Sequence, residues 1–405
     1  MVKKIFLTLI VFTIISFSAF CVFADSINFE NDNLSFKDSF ESFNLYAEVI
    51  NASDEETLKD DYSEYKIQKV RVKILDERYK GKEFDIVYYL EDGINTRLPL
   101  YDKLKKGDKV YAYAILSNGV LSVDAISYYD KTPWVLLLFA VFCVLIILFG
   151  GKNGLKAILS LCITIALIFW LLIPGIISGK NIILLTVLVC SLTTFLTFII
   201  ISGFNKKSLV AIVGTVGGIV FAAFIGFTFS NLMRLTGINE HARMISTAIS
   251  EDKKMISFKG IMLSAIMISA MGACMDVGMS ISSSLCELKS KKVDISKKEL
   301  IKSGMNIGKD VMGTMTNTLI LAYVGSAMLC ILLYNIGGFD LAFILNAEDI
   351  TDEILKSLSG SMGLACTIPI TAFVGGTVIG AKPEVKKGNK KETEESEIPV
   401  NYFKG

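Results

Sequence analysis

The sequence has very few of the residues from which metal sites and nucleophilic sites are built. It contains a single histidine, His241, so neither an HExxH zinc site nor a histidine-based metal cage can form within the chain. A Walker phosphate loop and a GxSxG nucleophile elbow are also missing. These absences predict a protein that is not an enzyme and that has no metal site and no other cofactor. We also expect no nucleic-acid partner.

Paired cysteines are missing as well. None of the eight cysteines belongs to a CxxC pair, and residues 25–131 contain no cysteine. Cys21 lies in the N-terminal hydrophobic run, and the other seven lie in or at the ends of the apolar segments described below. A disulfide framework is therefore not expected.

Apolar residues dominate the composition. The chain has 405 residues, of which 52% are hydrophobic, and a formal net charge of +1. Its mean hydropathy is +0.53. These values exclude an ordinary soluble enzyme and predict an α-helical polytopic membrane protein.

The N-terminal part is expected to contain a targeting segment and a small domain. Residues 1–24 have two lysines, an apolar core and a small-residue pattern ending at Ala24, which predicts a secretory signal peptide; an uncleaved anchor helix is the alternative. Residues 25–65 are polar and acidic and are expected to form a loosely ordered lead-in. Either form of the N-terminus places the segment that follows outside the cytoplasm.

Residues 66–131 carry alternating apolar and polar residues. The strand-length runs are KVRVKIL, EFDIVYYL, NTRLPLY, KVYAYAIL and VLSVDAISYY, and turn signals containing Gly81, Gly93, Gly107 and Gly119 separate them. Five short strands in one segment predict a small extracytoplasmic all-β domain, an OB-like closed barrel.

Residues 133–380 are expected to form the transmembrane domain. The seven runs long enough to cross about 30 Å of hydrocarbon are 133–150, 155–177, 182–202, 209–230, 259–285, 311–336 and 357–380. Lysines concentrate in alternate connections, whereas the connection 337–356 is acidic. This bias places the β domain outside and the charged tail, residues 381–405, inside, where we expect the tail to be disordered.

The stretch MGACMDVGMSISSSL has a carboxylate deep in the fifth predicted span. Asp276 lies there on a small-and-polar helical stripe with Gly272 and Ser280. Burying an ionised aspartate at that depth costs about 2.5–3.5 kcal/mol. A membrane hydrogen bond gains only about 0.6 kcal/mol, so we interpret Asp276 as a group that binds a cation or carries a proton. The alternative is a helix-packing hydrogen bond.

A ladder of methionines lies beside this stripe. Met267, Met271, Met275 and Met279 recur every four residues, close to Cys274. Thioether and thiol groups are ligands for copper(I), but methionine is also a flexible filler of irregular cores. We predict the second role.

Polar residues also follow one face of the sixth span. These transport or binding candidates are Asp310, Thr314, Asn317 and Thr318, preceded by Asn306. Because the fifth and sixth spans should be antiparallel, the depths of Asp276 and Asn317 roughly match, and we expect amide and hydroxyl groups of the sixth span to hold Asp276.

Glycine and proline mark two further spans. In the fourth span Gly214 and Gly218 have the GxxxG spacing that brings helices close together, and we assign them, with Gly272, to helix packing. In the seventh span Pro369 removes a backbone hydrogen bond and favours a kink or a break, as found at transporter binding sites.

The stretches MGACMDVGMSISSSL and SGMNIGKDVMGTMTNTLILAYVGS resemble the core of the YibE/F-like family of bacterial multi-pass membrane proteins. The resemblance extends from the LKKGDKV turn and the YYDKTPW exit of the β domain to the IPIT segment of the seventh span. It implies a bacterial cytoplasmic-membrane protein, a permease role and a partner subunit from the same family. It assigns no catalytic or binding residue.

Three functions follow as hypotheses. The first is a secondary transporter or permease subunit for an unknown small solute or ion, coupled to protons or cations through Asp276 and surrounded by the lipid bilayer. The second is a non-transporting scaffold or sensor whose β domain binds an outer partner. A membrane-embedded enzyme is the third and weakest, because no nucleophile–base pair is visible.

Overall fold

The computed structural model describes residues 40–60, 63–90, 102–117, 119–248 and 256–380. The chain divides into two compact units, Met1–Ile158 and Leu159–Gly405. Three predicted segments lie outside the described residues: the signal peptide, the strand NTRLPLY and the charged tail.

The described residues of the first unit form six strands that pair antiparallel in one sheet. The order is β2-β3-β1-β5-β6, and β4 also pairs with β3. The bounds are β1 Phe40–Ala52, β2 Glu56–Asp60, β3 Ser63–Ile74, β4 Glu83–Tyr89, β5 Lys109–Ser117 and β6 Val120–Tyr129.

Strand β1 lies at the centre of this sheet and supplies part of its core. Leu45, Ala47 and Val49 alternate along it and are at most 1% exposed. The predicted boundary of the β domain at residue 66 is therefore wrong, because β1 and β2 occupy the second half of the predicted lead-in. The many acidic and amide residues of this segment led to its prediction as a polar lead-in, although apolar residues alternate along β1.

The turns between strands follow the predicted glycine signals. Gly81, Gly107 and Gly119 have φ of 88°, 93° and 79°, a region that only glycine adopts without strain. The Gly107 turn is fixed further by the buried Gln68 amide, which donates to the Leu104 carbonyl and accepts from the Leu104 N–H, both at 2.9 Å.

The closed barrel stays a prediction. The hydrogen-bonded ladder runs from β4 through β3, β1 and β5 to β6. Strands β4 and β6 lie side by side, yet no ladder joins them within the described residues. The structure thus shows a small antiparallel sheet with an apolar core on its inner face.

The remaining described chain is almost entirely helical. The helices are α1 Thr132–Leu167, α2 Ile173–Ile177, α3 Ile182–Ser202, α4 Lys206–Leu232, α5 Glu240–Ala248, α6 Phe258–Lys291, α7 Lys297–Ser326, α8 Met328–Ile336, α9 Leu341–Asn346 and α10 Glu348–Val378. A π-helical turn, Ile168–Leu172, links α1 to α2.

Five of these helical segments are long and apolar enough to cross a membrane, and a sixth is added if the bent pair α7 and α8 counts as one span. These helices are consistent with the predicted polytopic membrane protein, but the prediction of seven separate spans is not shown. The first two predicted spans fall in one helical segment of 46 residues, Thr132–Ile177. Its continuity is interrupted at Gly151, where φ is 53° and ψ is −128°.

The sixth predicted span, 311–336, also differs from the observed helices. Helix α7 begins earlier, at Lys297, where Ser296 and Glu299 form a capping box. It ends at Ser326, and α8 continues at an angle of 56°.

The second unit is organised around α10. This helix packs on α4, α6 and α7, and α3 packs on α4 and α6. The interior combines aliphatic side chains with buried hydroxyls, such as Thr186, whose Oγ1 lies 2.6 Å from Ser264 Oγ. The buried residues of α7 are Leu300, Gly304 and Gly308, so the rest of the described unit leaves most of this helix uncovered.

Candidate functional site

The polar stripe of the fifth predicted span lies on α6. Asp276 is 18 residues from Phe258 and 15 from Lys291, so it is about 23–27 Å from either end of the helix. Asp276, Gly272 and Ser280 are all exposed, so the stripe points out of the described bundle. The described helices of its own unit therefore do not enclose this carboxylate.

The polar residues of the sixth predicted span lie on α7 and are likewise exposed. They are Asn306, Asp310, Thr314, Asn317 and Thr318. The two threonine hydroxyls donate to carbonyls of their own helix, at Val311 and Thr314, both at 2.9 Å. Side chains that bond to their own helix need no partner helix, whereas the amides keep their donors and acceptors available.

Helices α6 and α7 run antiparallel, and two contacts set their register. Gly308 lies against Ile281, and the Tyr323 hydroxyl interacts with Ser269. Between these contacts, Asp276 is level with residues 313–316 of α7. No hydrogen bond joins Asp276 to Asn317 or Thr318 in the described structure. The two helices place these residues at a similar depth, but the predicted hydrogen bonds to Asp276 are not formed.

The GxxxG glycines lie where α4 crosses α10. A Cβ built on Gly214 would overlap Thr371, and one built on Gly218 would overlap Thr367 and come within 2.8 Å of the Gly363 carbonyl. Only glycine allows this approach. Gly272 differs, because a Cβ there meets nothing within 4 Å. Its predicted role in helix packing therefore finds no neighbour among the described residues.

The methionine ladder of α6 faces the interior. Met267 and Met271 are buried at 0% and 6% exposure, in a cluster with Cys190 of α3 and Ile219 of α4. The two side chains fill space between three helices, which is the core-packing role.

Pro369 does not break its helix. Helix α10 runs without interruption from Glu348 to Val378, and Pro369 is exposed on it. The predicted break therefore does not occur there. The sharp bend of this unit lies instead between Ser326 and Met328.

A largely buried ionic cluster on α10 was not predicted from the sequence. Lys356 Nζ lies 2.8 Å from Asp352 Oδ2 and 2.9 Å from Glu353 Oε1, and the Lys356 and Asp352 side chains are 16% and 14% exposed. The second oxygen of Asp352 is buried and has no hydrogen-bond partner in the described structure. The four-residue spacing of Asp352 and Lys356 could have indicated this pair.

Tyr323 and Ser326 extend the cluster towards α7. The Ser326 hydroxyl donates to Glu353 Oε2 at 3.2 Å, and the Tyr323 hydroxyl lies near the three ionic side chains. Buried charges of this kind, in a helix that can span a membrane, mark either a functional group or an ion pair that fixes the packing.

Comparison with known proteins supports one assignment. A family model described as YibE/F-like protein matches residues 138–381, more than half of the 405-residue chain. No curated protein and no solved structure matches the chain. The match begins within α1, so the β domain lies outside it, unlike the resemblance noted in the LKKGDKV and YYDKTPW motifs. The chain therefore belongs to the YibE/F-like family of proteins.

Proposed function

We propose that this protein is a secondary transporter or permease, or a subunit of one, in the bacterial cytoplasmic membrane. The observation that carries the proposal is the position of Asp276, at mid-length on α6 and on the outside of the described bundle. An ionisable group at membrane depth is most readily explained by a role in moving a proton or a cation.

The geometry supports a role in transport more than a structural one. Asp276 has no hydrogen bond or ion pair to another described residue, so it does not hold two helices of its unit together. Its neighbour on the stripe, Ser280, is also exposed, and residues 313–316 of α7 lie at the same depth. A solute or ion would therefore meet the carboxylate together with small and hydroxyl-bearing side chains.

The proposed orientation follows from charge. Lysines are dense where α6 ends and α7 begins: Lys289, Lys291 and Lys292 precede Lys297 and Lys298. The connection before α10 is acidic. By the positive-inside rule, the α6–α7 connection and the tail would face the cytoplasm. The β domain would then lie outside if the segment Thr132–Ile177 crosses the membrane twice, once on each side of the break at Gly151.

The experiment is a flux assay on purified protein in liposomes. Proton movement is recorded while metal ions, amino acids and organic anions are added in turn, for the wild type and for Asp276→Asn. Glu287→Gln is the matched control, because Glu287 is on the same helix but pairs with Lys291 at 2.8 Å in an exposed position. Solute-linked proton movement in the wild type and in Glu287→Gln, but not in Asp276→Asn, would support the proposal.

A scaffold or sensor is the second candidate, and one observation favours it. Tyr113, Val120 and Tyr128 are exposed on the β5–β6 pair, and Tyr128 and Val120 are 65% and 69% exposed. Exposed aromatic and aliphatic groups on one sheet face are suited to a protein partner. A scaffold would retain its function in Asp276→Asn, whereas a proton-coupled transporter would not.

A further inference from the structure

A cavity of about 380 Å³ lies at one end of the second unit. It is found where α2 turns into α3, beside the last turns of α4 and at the start of α6. This is the end opposite the lysine-rich connection between α6 and α7. Every residue that lines the cavity lies between positions 176 and 263, so its walls belong to this unit and none of them comes from the β domain.

The deeper wall of the cavity is apolar. Ile176 and Ile183 form one part of it, and Phe227 and Leu263 form another. Phe227 is five residues before the end of α4 and Leu263 is five residues after the start of α6, so both lie about 7–8 Å inside the helix ends. The cavity therefore presents an apolar surface on the side that points towards the middle of these membrane-spanning helices.

The rim of the cavity, at the helix ends, is cationic. Lys180 precedes α3, Lys259 is the second residue of α6, and the residues that line the cavity include no aspartate and no glutamate. The Lys259 ammonium donates to Asn231 Oδ1 at 2.7 Å. An amide has no charge, so this bond fixes the position of the ammonium without neutralising it. The rim therefore favours an anion.

Two helices begin side by side at this rim. Asn181 caps α3 and Ser257 caps α6, each by accepting one backbone N–H of the first turn. A Cβ built on Gly260 would lie 3.2 Å from Ile182, so the starts of the two helices are in close contact. The other N–H groups of each first turn have no partner within the helix, and the positive ends of both helix dipoles add to the charge of the lysines.

We infer that this cavity binds an anionic phospholipid of the surrounding membrane. The phosphate would lie between Lys180 and Lys259, and an acyl chain would follow Phe227 and Leu263 towards the membrane interior. A small soluble anion would use the cationic rim but not the apolar wall, whereas a neutral lipid would use the wall but not the two lysines. Basic pockets between membrane helices bind phospholipid head groups for the same reason.

This inference goes beyond the proposed function and does not depend on it. Asp276 is 17 residues beyond Lys259 on α6, which places it about 25 Å from the rim along the helix axis. A lipid phosphate at the rim would therefore not touch the carboxylate on which the transport proposal rests. In the orientation proposed above, the rim lies at the outer surface of the membrane, so the lipid would come from the outer leaflet.

The test is photolabelling of the full-length protein in liposomes of phosphatidylcholine. A trace of phosphatidylglycerol with a photoreactive group on one acyl chain is activated by light, and mass spectrometry measures the label on the protein segments that contain Phe227 and Leu263. The wild type is compared with the double variant Lys180→Gln/Lys259→Gln, which should fold because both lysines are at helix ends. We expect the label on these segments to fall about 10- to 30-fold in this variant.

The matched control is Lys206→Gln/Lys207→Gln. It removes the same charge at the start of α4, which is the opposite end of the bundle, and should leave the label on the two segments unchanged. Unlabelled phosphatidylglycerol should displace the probe, whereas glycerol phosphate, the head group without acyl chains, should not.

Three results would overturn the inference. They are equal labelling of the wild type and the Lys180→Gln/Lys259→Gln variant, an equal loss in the control, and displacement of the probe by glycerol phosphate, which would indicate a site for a soluble anion. Flux measured on the same liposomes reports the proposed function separately.

Discussion

Lys356 Nζ lies 2.8 Å from Asp352 Oδ2, and both side chains are more than four-fifths buried on α10. Removing one member of a buried ion pair leaves the other charge uncompensated, which costs about 3–5 kcal/mol. We therefore expect Lys356→Met to lower the free energy of unfolding by that amount, measured by denaturant unfolding in detergent.

The control for this prediction is the exposed pair on α6. Lys291 lies 2.8 Å from Glu287 Oε1, but the two side chains are 75% and 67% exposed. Such pairs contribute about 0–1 kcal/mol. Lys291→Met should therefore change the unfolding free energy very little, and equal losses in the two variants would contradict the account of the buried cluster.

Gly218 and Gly272 form a second matched pair. A methyl group at Gly218 meets Thr367 and comes within 3.0 Å of Cys274 Sγ, so Gly218→Ala should destabilise the bundle by about 1–3 kcal/mol. At Gly272 the same change meets nothing within 4 Å, and alanine favours the helix by about 1 kcal/mol. Unfolding free energies of the two variants check this contrast, and a loss at Gly272 as large as at Gly218 would refute it.

The β domain should show a pH dependence through Asp130. Burial alone would raise the pKa of this carboxyl, but hydrogen bonds from Thr132 and from Tyr46 outweigh it, so the pKa lies below its usual value. The Tyr46 hydroxyl donates to Asp130 Oδ2 at 2.8 Å, and burial together with this bond raises the pKa of Tyr46 to about 12.

Because the folded state has the lower carboxyl pKa, the stabilisation by Asp130 is present above the unfolded value of about 3.9 and is lost as the pH falls through the folded value. We expect Tyr46→Phe to destabilise the domain by about 1.5–3 kcal/mol at pH 7, since the bond is to a charged group. Near-ultraviolet circular dichroism of the full-length protein during unfolding would show the difference shrinking below pH 4. A difference that grows in acid would exclude this linkage.

Local patterns predicted most of the secondary structure. The alternation in EFDIVYYL and KVYAYAIL predicted β4 and β5, and the glycines at positions 81, 107 and 119 marked three turns. Strand β1 was missed although Leu45, Ala47 and Val49 alternate with polar residues along it, because the acidic residues around it gave the segment the composition of a polar lead-in. The first two spans were predicted as separate apolar runs, 133–150 and 155–177. The non-helical Gly151 lies between them, and the backbone is helical on both sides of it.

The direction in which a polar stripe points could not be predicted in the same way. The spacing of Gly272, Asp276 and Ser280 places them on one face of a helix, but the neighbours of that face depend on the packing of α3, α4, α7 and α10. The ionic cluster was missed for a related reason. Because this segment is charged, the last span was predicted to start at residue 357. Helix α10 in fact begins at Glu348, and the charged side chains are largely covered within it.

The most direct test of the transport account compares Asp276→Glu with Asp276→Asn in proteoliposomes. Glutamate keeps a titratable carboxyl at mid-depth, and asparagine keeps the size of the side chain without the charge. Once a moving solute is found for the wild type, we predict that solute-linked proton movement persists in Asp276→Glu and disappears in Asp276→Asn, with equal amounts of folded protein. Full flux in Asp276→Asn would contradict a role for this carboxylate in coupling.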